Sequence, residues 1–360
     1  MRVIIKILFT ACIVFFIFSP QVISAQSLDN TFRATIIAIQ EEGDAYQTLL
    51  VQDKDSNEII VQNGNNYTGV TKKYKVGERI VVTEFEDLQG EKEYVVSDYD
   101  RSRGLLYLFI FFVMLVALIG GAWGAMSVVG MAFSFFVIFR FILPQILEGN
   151  EAITTAILGS SLIIPVNFTL SHGLKRKTFI AIISTVITIT ITGFLANFFV
   201  ASAHLTGFAA EESSFLLTIA GDTLNFRGIL LAGIIISTLG VLDDITISQA
   251  SIVSELQSAN KKLKDIDIFA KAMNVGRDHI ASLVNTLILV YTGASLPLLL
   301  LFTHSGQSYM SALNFEIVSE EVVRTLVGSI GLVLAVPITT CIAVYFDTFL
   351  DRLKKIIVVS

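Results

Sequence analysis

The sequence predicts a membrane protein, a mainly α-helical bundle of about seven transmembrane helices with a small N-terminal extracytoplasmic β-barrel of OB-like type. Three observations predict it. Only 16% of the 360 residues are charged and 53% are hydrophobic, whereas a soluble domain carries about 25% charged residues. From Leu105 onward, apolar runs of roughly 20 residues recur, the length of helix that crosses a bilayer core of about 30 Å. Residues 28–100 differ, with short β-rich runs between turn signals.

The elements follow in chain order. Residues 1–25 read as a signal peptide or an N-terminal signal anchor. Arg2 and Lys6 make a basic start, Ile7 to Phe18 an apolar stretch, and Ile23-Ser24-Ala25 a small-residue cleavage site. Residues 28–100 hold five strand-like runs at Thr35–Ile39, Thr48–Gln52, Glu58–Gln62, Arg79–Phe85 and Glu93–Ser97. Turn signals such as Glu42-Gly43-Asp44, Asn63-Gly64-Asn65 and Gln89-Gly90 separate them. Five short strands in so few residues fit a barrel that hides its edges by closure. Such a domain serves as a docking module, or binds a peptide or oligosaccharide, although no aromatic platform stands out.

Residues 104–350 form the transmembrane domain, with spans near 105–122, 125–146, 151–171, 178–202, 228–249, 280–303 and 323–346. Two loops and the tail are basic: Lys175-Arg176-Lys177, the stretch with Lys261, Lys262, Lys264, Lys271 and Arg277, and Arg352, Lys354 and Lys355. The alternate loops carry Glu148 and Glu151, then Glu211, Glu212 and Asp222, then Glu316, Glu320 and Glu321. The positive-inside rule puts the basic set and the C-terminus in the cytoplasm and the β domain outside, in agreement with an export signal. Arg101 and Arg103 oppose this only mildly. The segments 204–227 and 263–274 mix apolar and charged residues as surface-lying helices do.

An adjacent acidic pair stands out in the fifth span. Neighbours on one helical face are three or four residues apart, so Ser237, Gly240, Asp244, Ser248, Ser251 and Glu255 make one polar stripe. Asp243 and Thr246 lie beside it, and Gln249 follows Ser248. A mid-helix Asp costs about 2.5–3.5 kcal/mol to insert, and two neighbouring carboxylates cannot both ionise cheaply. Three readings stand open. The pair, with Ser248 and Gln249, is a proton or cation site, Asp244 being the better candidate because the stripe continues from it. Alternatively Arg277 neutralises it, or the span ends early and Asp244 caps a helix at the interface. Further along, Arg277 and Asp278 suit an inner gate or anchor, and Asn285 and Tyr291 the lining of a path. Pro165 with Asn167 marks a break in the third span, and Pro297 and Pro337 further ones.

Several function classes are set aside. The net charge of -6 with scattered basic residues excludes a nucleic-acid binder. Cys12 and Cys341 both lie in apolar runs and the four histidines are far apart, so no disulfide framework, metal site or cofactor is expected. Ile219-Ala220-Gly221-Asp222 lacks the first glycine of a GxGD protease motif, and HExxH, GxSxG and phosphate-loop motifs are missing. No enzyme is expected.

These motifs resemble the YibE/F-like family of multi-pass membrane proteins. The resemblance rests on Gly240-Val241-Leu242-Asp243-Asp244-Ile245-Thr246-Ile247-Ser248-Gln249, on Met273-Asn274-Val275-Gly276-Arg277-Asp278-His279-Ile280, and on Asn285 to Leu299 with its Tyr291-Thr292-Gly293. Val323-Arg324-Thr325-Leu326-Val327-Gly328 and Val336-Pro337-Ile338-Thr339 add to it, and in all it covers roughly residues 100–350. It implies a bacterial plasma-membrane protein and no particular activity. Two functions are expected in competition: a proton- or cation-coupled transporter of a small solute, and a non-transporting scaffold whose β domain recruits an envelope protein. Besides the lipid bilayer, the sequence names no partner and sets no oligomeric state.

Overall fold

The computed structural model describes residues 31–44, 46–64, 72–86, 90–209, 211–220, 224–304, 306 and 308–359. The signal segment, residues 1–25, lies outside them. The chain divides into two units, one holding the strands and reaching Leu118, the other running from Ile119 onward.

In the first unit, alternating apolar residues turn inward from five strands. These are β1 (Thr31–Glu42), β2 (Gln47–Gln52), β3 (Glu58–Asn63), β4 (Arg79–Glu86) and β5 (Lys92–Tyr99). They close into a barrel in the order β1-β2-β3-β5-β4. All pairings are antiparallel except β3 with β5, where Gln62 faces Val95. The five-stranded closed barrel is what the strand-and-turn pattern predicts. Its core is Ala34, Ile36, Leu49, Val51, Val61, Tyr74, Ile80 and Val82, the period-two inward faces of four strands plus one aromatic from a loop. β1 is longer than its β-rich run, and two register shifts let it curve between β2 and β4. A buried polar knot fastens the loop that carries Tyr74. Gln47 Oε1 accepts from Tyr74 N (2.7 Å) and Asn63 Nδ2 (3.2 Å), while Asn63 Nδ2 also donates to Lys72 O (2.7 Å).

An acidic anchor closes β5. Asp100 is almost wholly enclosed, with Arg79 Nη2 2.7 Å from its Oδ2 and Arg33 Nε 3.9 Å from Oδ1. Ser102 N donates to Oδ1 at 3.0 Å. Hydrogen bonding from Ser102, reinforced by both guanidinium charges, outweighs burial and holds this carboxyl below the usual aspartate range. A group depressed in this way stabilises the fold above its unfolded value, and that stability drains away as pH falls through the folded value. Amide protection factors in β1 and β4 should therefore drop as pH is taken below about 4. Asp100→Asn should weaken the barrel by about 2 kcal/mol at neutral pH and flatten this dependence. Hydrogen exchange on the full-length protein reads both, and an unchanged acid profile in the variant would remove Asp100 from the account.

Long helices make up the rest. They are α1 (Ser102–Leu147), α2 (Ala152–His172), α3 (Arg176–Ser202), α4 (Glu211–Ala220), α5 (Phe226–Ala259), α6 (Asp265–Ala294), α7 (Leu296–His304), α8 (Tyr309–Ala312) and α9 (Glu316–Val359). Five are long and apolar enough to cross a membrane, or six if the pair α6–α7, bent by 65°, counts as one span. Two of the seven spans expected from sequence fall within α1, one on each side of a break. Their junction is Gly121, whose φ of 59° and ψ of -146° leave the helical region, a conformation that a side chain would strain. The expected surface helix at 263–274 is instead the first part of α6, which runs on unbroken to Ala294. Pro165 and Pro337 sit inside continuous helices rather than ending them.

Within the second unit, α5 is central. It packs on α2, α3, α6 and α9, and Ala232, Ile235, Leu242, Ile245 and Ala250 belong to the main core with Ile189 of α3 and Ala335 and Val336 of α9. Hydroxyls line these contacts: Thr178, Ser184, Thr185, Thr188 and Thr192 of α3 are all buried. Thr185 Oγ1 lies 2.8 Å from Thr246 Oγ1 across the α3–α5 contact. Small hydroxyl side chains suit helix contacts in lipid, where apolar surface alone gives no drive to associate.

Candidate functional site

α5 carries the acidic pair near the middle of an unbroken 34-residue helix. Its N-cap is Asn225, whose side chain accepts from Gly228 N at 3.0 Å. Asp244 is therefore no helix cap. Arg277 does not neutralise the pair either. Its Nη1 donates to Asn274 Oδ1 at 3.1 Å, and among the described residues no ion pair joins it to Asp243 or Asp244. Neither the helix cap nor the Arg277 ion pair is present among the described residues.

The pair opens on a cavity of about 260 Å³ lined by Ser127, Met131 and Ser134 of α1, by Asn167, Phe168, Ser171 and His172 of α2, and by Asp243 and Asp244 of α5. Helical spacing assembles each wall: 127, 131 and 134 repeat at four and three residues, and 167 and 171 at four. A second cavity of about 430 Å³ continues from it, sharing Ser127, Ser171 and His172 and adding Gly120, Trp123, Gly124, Lys175 and Lys177. Lys175 Nζ sits 5.8 Å from the centre of the Trp123 ring, a cation–π distance. The groove thus runs from two carboxylates to two ammonium groups.

The two aspartates differ. Asp244 is exposed, whereas Asp243 is part-buried, and its Oδ1 is fully enclosed with no hydrogen-bond partner among the described residues. The same holds for Asn167 Oδ1 across the cavity. Asn167 is oriented by its other end, since Nδ2 donates to Ser134 Oγ (2.8 Å), which itself donates to Gly130 O (3.1 Å). Two enclosed acceptors in one polar cavity are costly unless a hydrogen-bond donor or a cation meets them. Burial thus separates Asp243 from the exposed Asp244. Among the described residues, no group of three or more His, Cys, Asp and Glu could hold a metal ion.

The other residues singled out from sequence are scattered. Ser248 is half-buried on the same open face of α5 as Gly240 and Asp244, so the polar stripe exists. Gln249 cross-links helices outside the groove: it is fully buried, and Nε2 donates to Ala272 O of α6 (3.0 Å) and Thr340 Oγ1 of α9 (2.7 Å), while its Oε1 has no hydrogen-bond partner among the described residues. Arg277, Asp278 and Asn285 are exposed on α6. None of them lines the groove. Tyr291 lines a separate 260 Å³ cavity with Ile288, Leu298, Leu299, Glu321 and Thr325. Sequence reasoning missed Ser127, Ser134, Ser171 and His172, and took Asn167 only as a helix break. The four- and three-residue spacing of polar groups in apolar runs was the available signal, but nothing local says that α1 and α2 face α5 there.

A family model for YibE/F-like proteins matches residues 108–348. The chain belongs to the YibE/F-like family. The match takes in α1 from Leu108 to most of α9, and so every residue of the groove. Family and apolar helices together are consistent with a membrane protein. No curated protein and no solved structure matches the chain.

Proposed function

We propose that this YibE/F-like protein is a multi-pass plasma-membrane transporter that moves a small solute or ion in exchange with a proton or cation held at Asp243. The observation that carries the reading is the enclosed, unpartnered Asp243 Oδ1 in a polar cavity that Asn167, whose Oδ1 is equally unpartnered, also lines. An intramembrane carboxylate is by default a functional group. The other walls of its cavity carry donors and acceptors on two other helices, so ion occupancy can be linked to helix movement.

Orientation follows from loop charge. Lys175-Arg176-Lys177 and the Lys261–Lys264 turn face the cytoplasm, and Glu148 and Glu151 lie outside. Gly120, Trp123 and Gly124 share a cavity with Lys175 and Lys177, so the break at Gly121 belongs at the cytoplasmic end. The apolar stretch from Ser102 to Gly120 is about 28 Å long at 1.5 Å per residue, enough for its own crossing. That crossing supports a barrel outside, a cytoplasmic C-terminus and seven spans among the described residues.

The test is solute flux in liposomes under an imposed pH or sodium gradient, wild type against Asp243→Asn. Gradient-driven uptake that disappears in the variant supports the reading; no coupled flux in the wild type across a broad solute panel counts against it. The scaffold reading draws support from the barrel, which has a core of its own and exposes Ile60, Val76 and Phe85. Removing residues 28–100 separates the two. A transporter should retain measurable flux, whereas a scaffold should lose its entire phenotype.

A further inference from the structure

With α6 in a bilayer, one of its faces has an unexplained composition. Beyond Gly276 the helix buries only Leu287. On the opposite side Asp278, Ser282, Asn285, Leu289 and Thr292 are all exposed, Leu289 by 62%. Their spacing alternates four, three, four and three residues, the 3.5-residue period of a seam shared by two helices crossing at a shallow angle. A helix facing lipid alone has no use for a carboxamide on such a face. Polar side chains such as Asn and Ser, and small ones such as Ser and Gly, are what helices in lipid use to meet one another. A Cβ added at Gly293, beside Thr292, would meet nothing within 4 Å, so the backbone there is open to close approach.

We propose that this face of α6 pairs with the same face of a second copy of the chain, making the protein a two-fold symmetric dimer in the membrane. A second copy is favoured by self-complementarity. Copies in one membrane related by an axis along its normal present α6 in parallel, so Asn285 meets Asn285. The carboxamide both donates and accepts and can satisfy its own duplicate, and one seam asparagine sets register and strand number in paired helices. The charges agree. Arg277 and Asp278 are adjacent, and among the described residues neither is in an ion pair. The register that sets Asn285 on Asn285 also sets Asp278 on Asp278, and Arg277 of each copy flanks that acidic pair and offsets its charge. The contact is isologous and closes on itself, as most soluble oligomers do. It requires α6 to lie in the membrane but is independent of transport.

The test uses the full-length chain with Cys12→Ser and Cys341→Ser and single cysteines at Ser282, Asn285 or Leu289, oxidised in native membranes. A disulfide-linked species of twice 39.4 kDa is expected at these positions. It is not expected at Phe194 or Phe198, which are exposed on α3. In liposomes at graded protein dilution, Asn285→Leu should weaken self-association about 3- to 20-fold, the range that interhelical polar contacts in membranes give. Three results would overturn the proposal: monomer at every dilution, equal cross-linking from α3, or a cross-linked species whose mass shows a different protein on this face.

Discussion

Asp243→Asn is expected to abolish gradient-driven flux while the protein still reaches the membrane in normal amount. Asparagine keeps the shape of the side chain but can neither hold an exchangeable proton nor offer a negative charge. A hydrogen bond to a charged group is worth about 1.5–3 kcal/mol, so affinity for the coupling ion should fall roughly ten- to hundred-fold. Stability should move the other way. The wild-type carboxylate leaves Oδ1 enclosed without a partner, and replacing a poorly satisfied buried charge by a neutral amide relieves part of its desolvation cost. The variant should therefore melt no lower than wild type. Asp244→Asn should cost only a few-fold in affinity, because exposure screens that carboxylate. Parallel flux and thermal-melt measurements on both variants decide it. Loss of flux from Asp244→Asn alone would return the site to the position that the polar stripe first suggested, and loss of folded protein from Asp243→Asn would make the pair structural.

The second large effect is expected at Gly276, where α6 meets α5 and α9. A Cβ there would overlap Val336 Cγ1 and lie 3.1 Å from Gln249 Nε2. Gln249 at this point holds the three helices together through Ala272 O and Thr340 Oγ1. Overpacking a tight contact costs about 1–3 kcal/mol, and displacing Gln249 would strand its buried amide as well. Gly276→Leu should thus lose more than about 3 kcal/mol and give little monodisperse protein in detergent. Gly276→Ala should be milder, with Val336→Ala restoring part of its melting temperature, since the overlapping methyl belongs to Val336. If Val336→Ala gives no rescue, the tightness at this crossing has another source.

Long-range arrangement is where the sequence stopped being legible. Apolar run length marked two spans within α1, but their junction at Gly121 was not legible, because a positive-φ glycine breaks helical geometry without adding residues. Asn285 shows the same limit. Its polarity in an apolar run signalled a role, and helical periodicity put it on one face with Ser282 and Leu289, but which way that face points depends on what α6 packs against. Gly276 and Ala272 turn inward, so Asn285 turns out. Gln249 and Asp243 made equally good site candidates as polar residues of one span. Only the tertiary structure shows that Gln249 ties α5 to α6 and α9 while Asp243 lines the groove.

What the sequence by itself determined is therefore everything that local physics dictates. Apolar length specifies helices that can cross a membrane, period-two alternation and turn residues specify the five-stranded barrel, and the cost of an acid in an apolar helix singles out Asp243 and Asp244. Only the tertiary structure decided which carboxylate is enclosed, that Asn167 and Ser134 stand opposite it, and that Arg277 and Asn285 do not. Those facts are contacts between helices distant in the chain. They are settled by how side chains of different helices interlock, and no single segment carries that information.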